Sequence, residues 1–260
     1  MQVLLSLLST QNRWGTVLMN SLNSKKAQKV ANLLRSAVLD LLAKAAVFLT
    51  YPISQTWFDP KKENIHSDQT PILLVHGYLN SSSAWTYFRY RLKHADIKNV
   101  FTINLGNPLL SIEVYARRVD RRVKEIQELT GRSDIRLIGH SMGGIVSSYY
   151  AIHLAPKNSV KSITTLGSPF NGTKMAVIAP GKSPKQMKYM SSFIQDLKQK
   201  IEESEISYYH IGSDVDLIVR PPSSSIIEKN KFTRFDNLGH VSLLFSDRVI
   251  RHCVAELKEA

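Results

Sequence analysis

Residues Leu137–Val146 read LIGHSMGGIV, and the order of residue types in this stretch decides the fold. An apolar run, IRLIG at 135–139, is followed at once by a serine and then by the helix-like run MGGIVSSYYAIHL. Gly139-His140-Ser141-Met142-Gly143 has the form G-x-S-x-G. That spacing suits a sharp strand-to-helix turn: small residues two places before and two after the serine let neighbouring backbone close around it, and the hydroxyl projects from the turn. The pattern is short, and a helix that merely starts near a serine carries it too. The surrounding chain therefore has to distinguish the two.

Working outward, apolar runs alternate with longer amphipathic segments from Pro71 onward, which predicts parallel strands joined by crossover helices. Strands are expected at 71–77, 100–105, 135–139, 160–169 and 205–212, with a weaker one at about 231–236. Helices are expected at 82–95, from a Ser111 cap to a Gly131 stop, from Met142 to just before Pro156, and at about 243–258. The expected fold class is α/β, a doubly wound, mostly parallel sheet with flanking helices, in which ligands sit at the carboxyl ends of strands.

Several polar residues fall at those ends. His76-Gly77-Tyr78 follows the first strand, Ser141 the third, Asp214 and Asp216 the fifth, and His240 the last. A free serine hydroxyl is a weak nucleophile and needs an imidazole to take its proton. Of the eight histidines, His240 alone lies late in the chain, after the aspartates and between a strand and the terminal helix. The chain order Ser, Asp, His is one of three known arrangements of such a triad.

The segments HGYLNSSSAW (76–85), GHSMGG (139–144), LGSPFNGT (166–173), SDVDLIV (213–219) and NLGHVSLL (237–244) together resemble the α/β-hydrolase superfamily, in particular small bacterial lipases and related esterases. The resemblance covers roughly residues 70–260. It implies a serine hydrolase acting on carboxylic esters, of the triacylglycerol lipase or esterase kind, through an acyl-enzyme and without metal or cofactor. Ser141 is then the nucleophile and His240 the base. Asp216 fits the family's acid position, with Val219 three residues on and Pro221 beyond; Asp214 is its competitor. Backbone N–H groups of Met142 and Tyr78 are the implied oxyanion donors, although HGYLN departs from the glycine-rich loop of many relatives. His76 is expected to shape the Tyr78 loop, and His140 to serve packing. Residues 173–203, with Met175, Met187, Met190, Phe193 and Ile194 among many lysines, lie where this superfamily inserts a cap; an ordinary pair of surface helices would read the same way. The same triad also serves amidases, thioesterases and acyltransferases, and an inactive hydrolase fold could serve binding alone.

Ahead of that domain, residues 1–60 form an expected helical extension. Val30, Leu33, Leu34, Ala37, Val38, Leu41, Leu42, Ala45, Ala46 and Leu49 keep helical rhythm, and Tyr51-Pro52 closes it. Arg35, Asp40 and Lys44 interrupt the apolar run, which argues against a transmembrane span. Such a helix either lies on a membrane or packs on the domain. The opening MQVLLSLLST is short and lacks a basic start, so no signal peptide is expected, although a start at Met19 would place lysines before the apolar stretch. The expected location is the cytoplasm, with peripheral membrane association or secretion as the alternatives.

Composition sets the outer bounds. The 260 residues are 43% hydrophobic and 21% charged, enough to bury a core. One cysteine excludes an intramolecular disulfide. The net charge of +13 favours anionic partners, an acidic membrane surface among them. On the 111–130 helix, however, Arg117, Arg118, Arg121, Arg122 and Lys124 are interleaved with Glu113, Asp120, Glu125 and Glu128. That is an exposed face laced with salt bridges, and specific nucleic-acid binding is not expected.

Overall fold

The computed structural model describes residues 25–50 and 59–259. The opening segment, Met19 and Tyr51-Pro52 lie outside the described residues.

Six strands form one sheet: β1 Ile72–Val75, β2 Val100–Ile103, β3 Ile135–His140, β4 Val160–Leu166, β5 Ser207–Ser213 and β6 Lys231–Phe235. Their order is β2-β1-β3-β4-β5-β6 and every pairing is parallel. Parallel strands covered on both faces read as continuous apolar runs, and β1, ILLV, is buried throughout. Its side chains alternate between two cores. Leu73 and Val75 join Leu137, Ile163 and residues of α3 (Ile112–Thr130), α4 (Met142–His153) and α6 (Ser192–Glu203). Ile72 and Leu74 join Ile138, Ile211 and residues of α2 (Thr86–His94) and α7 (Asp247–Glu259) on the other face. Each such buried aliphatic side chain contributes roughly 1.5–3 kcal/mol relative to exposure.

Two helix boundaries differ from the sequence reading. The expected 82–95 helix opens as a 3₁₀ turn, Ser82–Trp85, capped by the Ser81 hydroxyl, which accepts from Ser83 N–H at 3.3 Å. The terminal helix is likewise divided at Ser246, between a 3₁₀ turn at Ser242–Phe245 and α7. In α3 the buried positions Ile112, Tyr115, Ala116, Val119, Val123 and Ile126 keep helical spacing, and Gly131 ends the helix at φ 70°. Ser111 occupies the N-cap position, but its side chain makes no capping hydrogen bond. The outer face carries the interleaved pairs read from the sequence, Lys124–Asp120 and Arg122–Glu125, both at 2.8 Å.

Helix α1, Lys25–Thr50, packs on the α2/α7 side through contacts with the Ser82–Trp85 and Ser242–Phe245 turns. Its inward stripe is Asn32, Ser36, Asp40 and Ala43, mostly polar. Its apolar residues face outward: Leu34 is 64% exposed and Leu41 69%. The helix thus packs on the domain and keeps an open apolar face at once.

Segment 173–203 divides as well. Met187 and, from α6, Ile194, Leu197 and Ile201 are core, as the crossover from β4 to β5 requires. Met175, Val177, Ile178 and Met190 remain exposed, around the 3₁₀ turn Lys174–Val177 and the short α5, Lys182–Gln186.

Candidate active site

The chain runs β1 to β2, then crosses back over β1 to β3, so the carboxyl ends of β1 and β3 lie side by side where the winding reverses. Val75 is paired with Gly139 there. Such reversals open a crevice for ligands.

Ser141 stands at that point, between β3 and α4, with φ 56° and ψ −124°. This backbone conformation is strained for a residue with a side chain and persists only where its surroundings dictate it. Here its N–H donates to the Leu166 carbonyl of β4 at 2.8 Å. The helix also starts hard against the sheet. A Cβ on Gly139 would lie 2.4 Å from Gly144 N, and one on Gly143 would lie 2.1 Å from the Val75 carbonyl oxygen. Both positions need glycine because backbone passes backbone at contact distance.

Past the end of β5, Asp216 is 1% exposed. Its Oδ1 accepts from Ile218 N–H at 2.7 Å and Val219 N–H at 2.9 Å. Its Oδ2 accepts from His240 Nδ1 at 2.7 Å. That bond places the ring proton on Nδ1 and leaves Nε2 as the proton acceptor of the neutral ring. The pair rests on the end of β4, since a Cβ on Gly167 would lie 3.3 Å from both Asp216 Oδ2 and His240 Nδ1. Burial opposes charge on each partner. The attraction and hydrogen bond between them outweigh it, so Asp216 is held below the usual carboxylate range and His240 is raised above 6.5. Asp214 is placed elsewhere: it is partly exposed, 3.6 Å from Arg234 Nε.

Further groups hold the histidine loop. His140 Nε2–H donates to the His240 carbonyl at 3.0 Å, and the two rings are 4.7 Å apart. Burial, with the neighbouring His240, lowers His140 to about 3, so it stays neutral. Its role exceeds the packing expected from sequence. Asp40 of α1 was not singled out as a site residue by sequence reasoning. Its carboxylate accepts from His240 N–H at 2.7 Å, Val241 N–H at 3.0 Å and Ser242 N–H at 2.9 Å. The available signal was the single acid in a helix whose other charged residues are all basic.

Met142 N–H heads α4, where a helix leaves its first donors without an internal acceptor. Tyr78 lies in the turn after β1, and its hydroxyl donates to the Pro180 carbonyl at 2.6 Å, tying that turn to the 173–190 stretch. His76 braces the same turn: Nδ1–H donates to the Gly77 carbonyl at 2.8 Å and Nε2 accepts from Leu105 N–H at 2.9 Å. Burial lowers it to about 4. Among the described residues, no group of three or more His, Cys, Asp or Glu side chains could hold a metal ion.

Comparison with known proteins agrees with this architecture. A family profile described as alpha/beta hydrolase fold matches residues 70–244. A triacylglycerol lipase of Pseudarthrobacter phenanthrenivorans is 32% identical over 114 residues, 41% of this chain and 35% of that protein. An ethanol acetyltransferase of Cyberlindnera fabianii is 28% identical over 147 residues, 55% of this chain and 40% of that protein. The matched regions thus span only about a third to two fifths of these relatives. The crystal structure of a mature Bacillus licheniformis lipase superposes with a TM-score of 0.63 at 18% identity, covering 76% of this chain and 96% of that one.

Proposed function

The chain belongs to the alpha/beta hydrolase fold family, and from that premise we propose that it is a serine hydrolase cleaving carboxylic esters through an acyl-enzyme. Ser141 Oγ attacks the ester carbonyl while His240 Nε2 takes its proton. Asp216 keeps the ring in the required tautomer and stabilises the imidazolium that forms. Met142 N–H and Tyr78 N–H receive the negative charge that develops on the carbonyl oxygen, where one such donor is worth about 10²–10³ in rate. His240 then protonates the departing alkoxide, and water, deprotonated by the same imidazole, releases the acid.

The observation that carries this reading is the buried Asp216–His240 hydrogen bond at 2.7 Å, resting on the same strand end that holds Ser141 N–H. The exposed apolar residues Met175, Val177, Ile178 and Met190 suit a short cap over an acyl chain, and favour a lipid or other hydrophobic ester. Residues 70–260 form the catalytic domain in this reading, with the N-terminal helix as its extension.

The likeness to an acetyltransferase supports a second outcome on the same triad, in which an alcohol replaces water as acyl acceptor. A series of p-nitrophenyl esters of rising chain length, assayed with and without added ethanol, separates the two. Acid release insensitive to ethanol marks a hydrolase; ethyl ester as main product marks a transferase. No turnover of any ester would remove both.

We also propose that the protein meets its substrate at an anionic membrane surface. No described helix is long and apolar enough to cross a membrane. The outward face of α1, with Val30, Leu34, Val38 and Leu41 exposed, offers apolar area to an interface, and the net charge of +13 offers attraction to acidic headgroups.

A further inference from the structure

We infer that Asp40 is a positioning residue for the catalytic histidine, so that the N-terminal helix is a working part of the active site. The inference rests on the reading of Ser141, His240 and Asp216 as the catalytic triad.

Three consecutive backbone N–H groups, of His240, Val241 and Ser242, converge on the two oxygens of this one carboxylate. The first two belong to the short connection between β6 and the Ser242–Phe245 turn, and the third is the first residue of that turn. A carboxylate that is only 8% exposed needs such donors, and the loop needs such an acceptor. Asn32, two turns earlier on the same face, donates to the Asp236 carbonyl at 3.3 Å, and Ser36, one turn earlier, donates to the Leu33 carbonyl of its own helix at 2.8 Å with the Val215 carbonyl 3.5 Å away. The helix is therefore seated along both loops that supply the triad's acid and base.

Gly239 shows the same contact from the loop side. A Cβ at this position would stand 2.5 Å from Asp40 Cγ and Oδ1 and 2.6 Å from Oδ2. Its φ does not require glycine; the approach of the carboxylate does. The His240 peptide is thereby held from two sides, its N–H by Asp40 and its carbonyl by His140, while Asp216 holds the ring. Ring position is then set by backbone anchored to α1.

The carboxylate also places negative charge beside an imidazole that becomes cationic during the reaction. The charged and titratable groups acting on His240 come from several elements: Asp216 after β5, His140 at the end of β3, and Asp40 with the opposing Lys44 on α1. Asp40 acts in the direction that raises His240.

The test is kcat and KM against pH for a short soluble ester, using the full chain. Asp40→Asn is expected to lower kcat by up to about 10²-fold, the scale of an ångström-level misplacement. KM should change little. The acid limb of kcat/KM should move to lower pH, because losing the negative charge makes His240 easier to deprotonate. A folded Asp40→Asn enzyme with wild-type kcat and an unmoved acid limb overturns the proposal. Gly239→Ala probes the same contact from the loop side, should Asp40→Asn not fold. It is expected to lower kcat by itself, and to add no further loss in an Asp40→Ala background where the clash is gone. A harmless Gly239→Ala, or losses that multiply in the double variant, contradicts the clamp. Fluorophosphonate labelling of Ser141 in the wild type runs alongside. Absence of labelling indicts the triad reading, whereas labelled wild type with unaffected variants indicts Asp40 alone.

Discussion

Asp216 Oδ2 accepts a hydrogen bond from His240 Nδ1 at 2.7 Å, while Asp214, two residues earlier, faces Arg234 at the surface. The two aspartates are therefore expected to behave differently. Asp216→Asn should lower kcat by about 10⁴, since an amide favours the wrong imidazole tautomer. Asp214→Asn should stay within a few-fold of wild type. Steady-state kinetics on both variants check this, and equal effects would contradict the assignment.

The same bond sets a pH dependence. In the proposed mechanism His240 must be neutral to take the serine proton, and it is held above 6.5 by its partners despite burial. kcat/KM should therefore rise with pH through an apparent value above 6.5 and fall away on the acid side. An acid limb well below 6 would contradict the buried ion-pair environment.

Stability should depend on pH for a separate reason. Burial lowers His76 to about 4 and both His140 and His210 to about 3. The unfolded chain takes up protons at these histidines near pH 6.5 while the folded one does not. Each therefore contributes stability above that value that is lost on acidification, at about 1.4 kcal/mol for each pH unit. His240 has the opposite sign, and its contribution is present below its unfolded value and lost as pH rises through the raised folded one. It adds no slope on the acid side. Urea unfolding at pH 7, 6 and 5 should show a steep decline; a flat profile would show that these rings are not buried neutral.

The open face of α1 gives the membrane prediction. The full-length protein should pellet with anionic liposomes at low salt, and less with neutral ones or at high salt. Replacing Leu34, Val38 and Leu41 by serine should reduce pelleting while leaving turnover of a short soluble ester intact, because these side chains point away from the domain. Deleting the helix is a poorer test, since it also removes Asp40. Unchanged pelleting in the serine variant would assign the apolar face to some other partner.

Much of this was legible in the residue order. Continuous apolar runs mark strands buried on both faces, and β1, β3 and β4 appear within a few residues of where those runs lie. Ser141, His240 and the pair Asp214 and Asp216 could be picked out as candidates because each follows a strand end, and strand ends converge in a parallel sheet; the preference for Asp216 came from the family resemblance. The contacts of His140 and Asp40 with the His240 loop were hidden for different reasons. His140 acts through a backbone carbonyl 100 residues away, and a carbonyl carries no residue identity. Asp40 lies on a helix whose apolar rhythm leaves open whether that face meets a membrane or the domain. The helix seats through Asn32, Ser36 and Asp40, because what it covers is a loop with unpaired N–H and carbonyl groups. Periodicity shows that a helix has two faces; the partner decides which one is buried.

The most direct measurement is active-site labelling. Wild type and Ser141→Ala are treated with a fluorophosphonate probe and assayed in parallel for ester hydrolysis. The expected result is stoichiometric labelling of wild type, loss of its activity on labelling, and a Ser141→Ala protein that is folded, unlabelled and slower in kcat by about 10⁴–10⁶. Labelling that survives in Ser141→Ala, or hydrolysis that continues at the wild-type rate, would contradict a nucleophile at the β3–α4 turn.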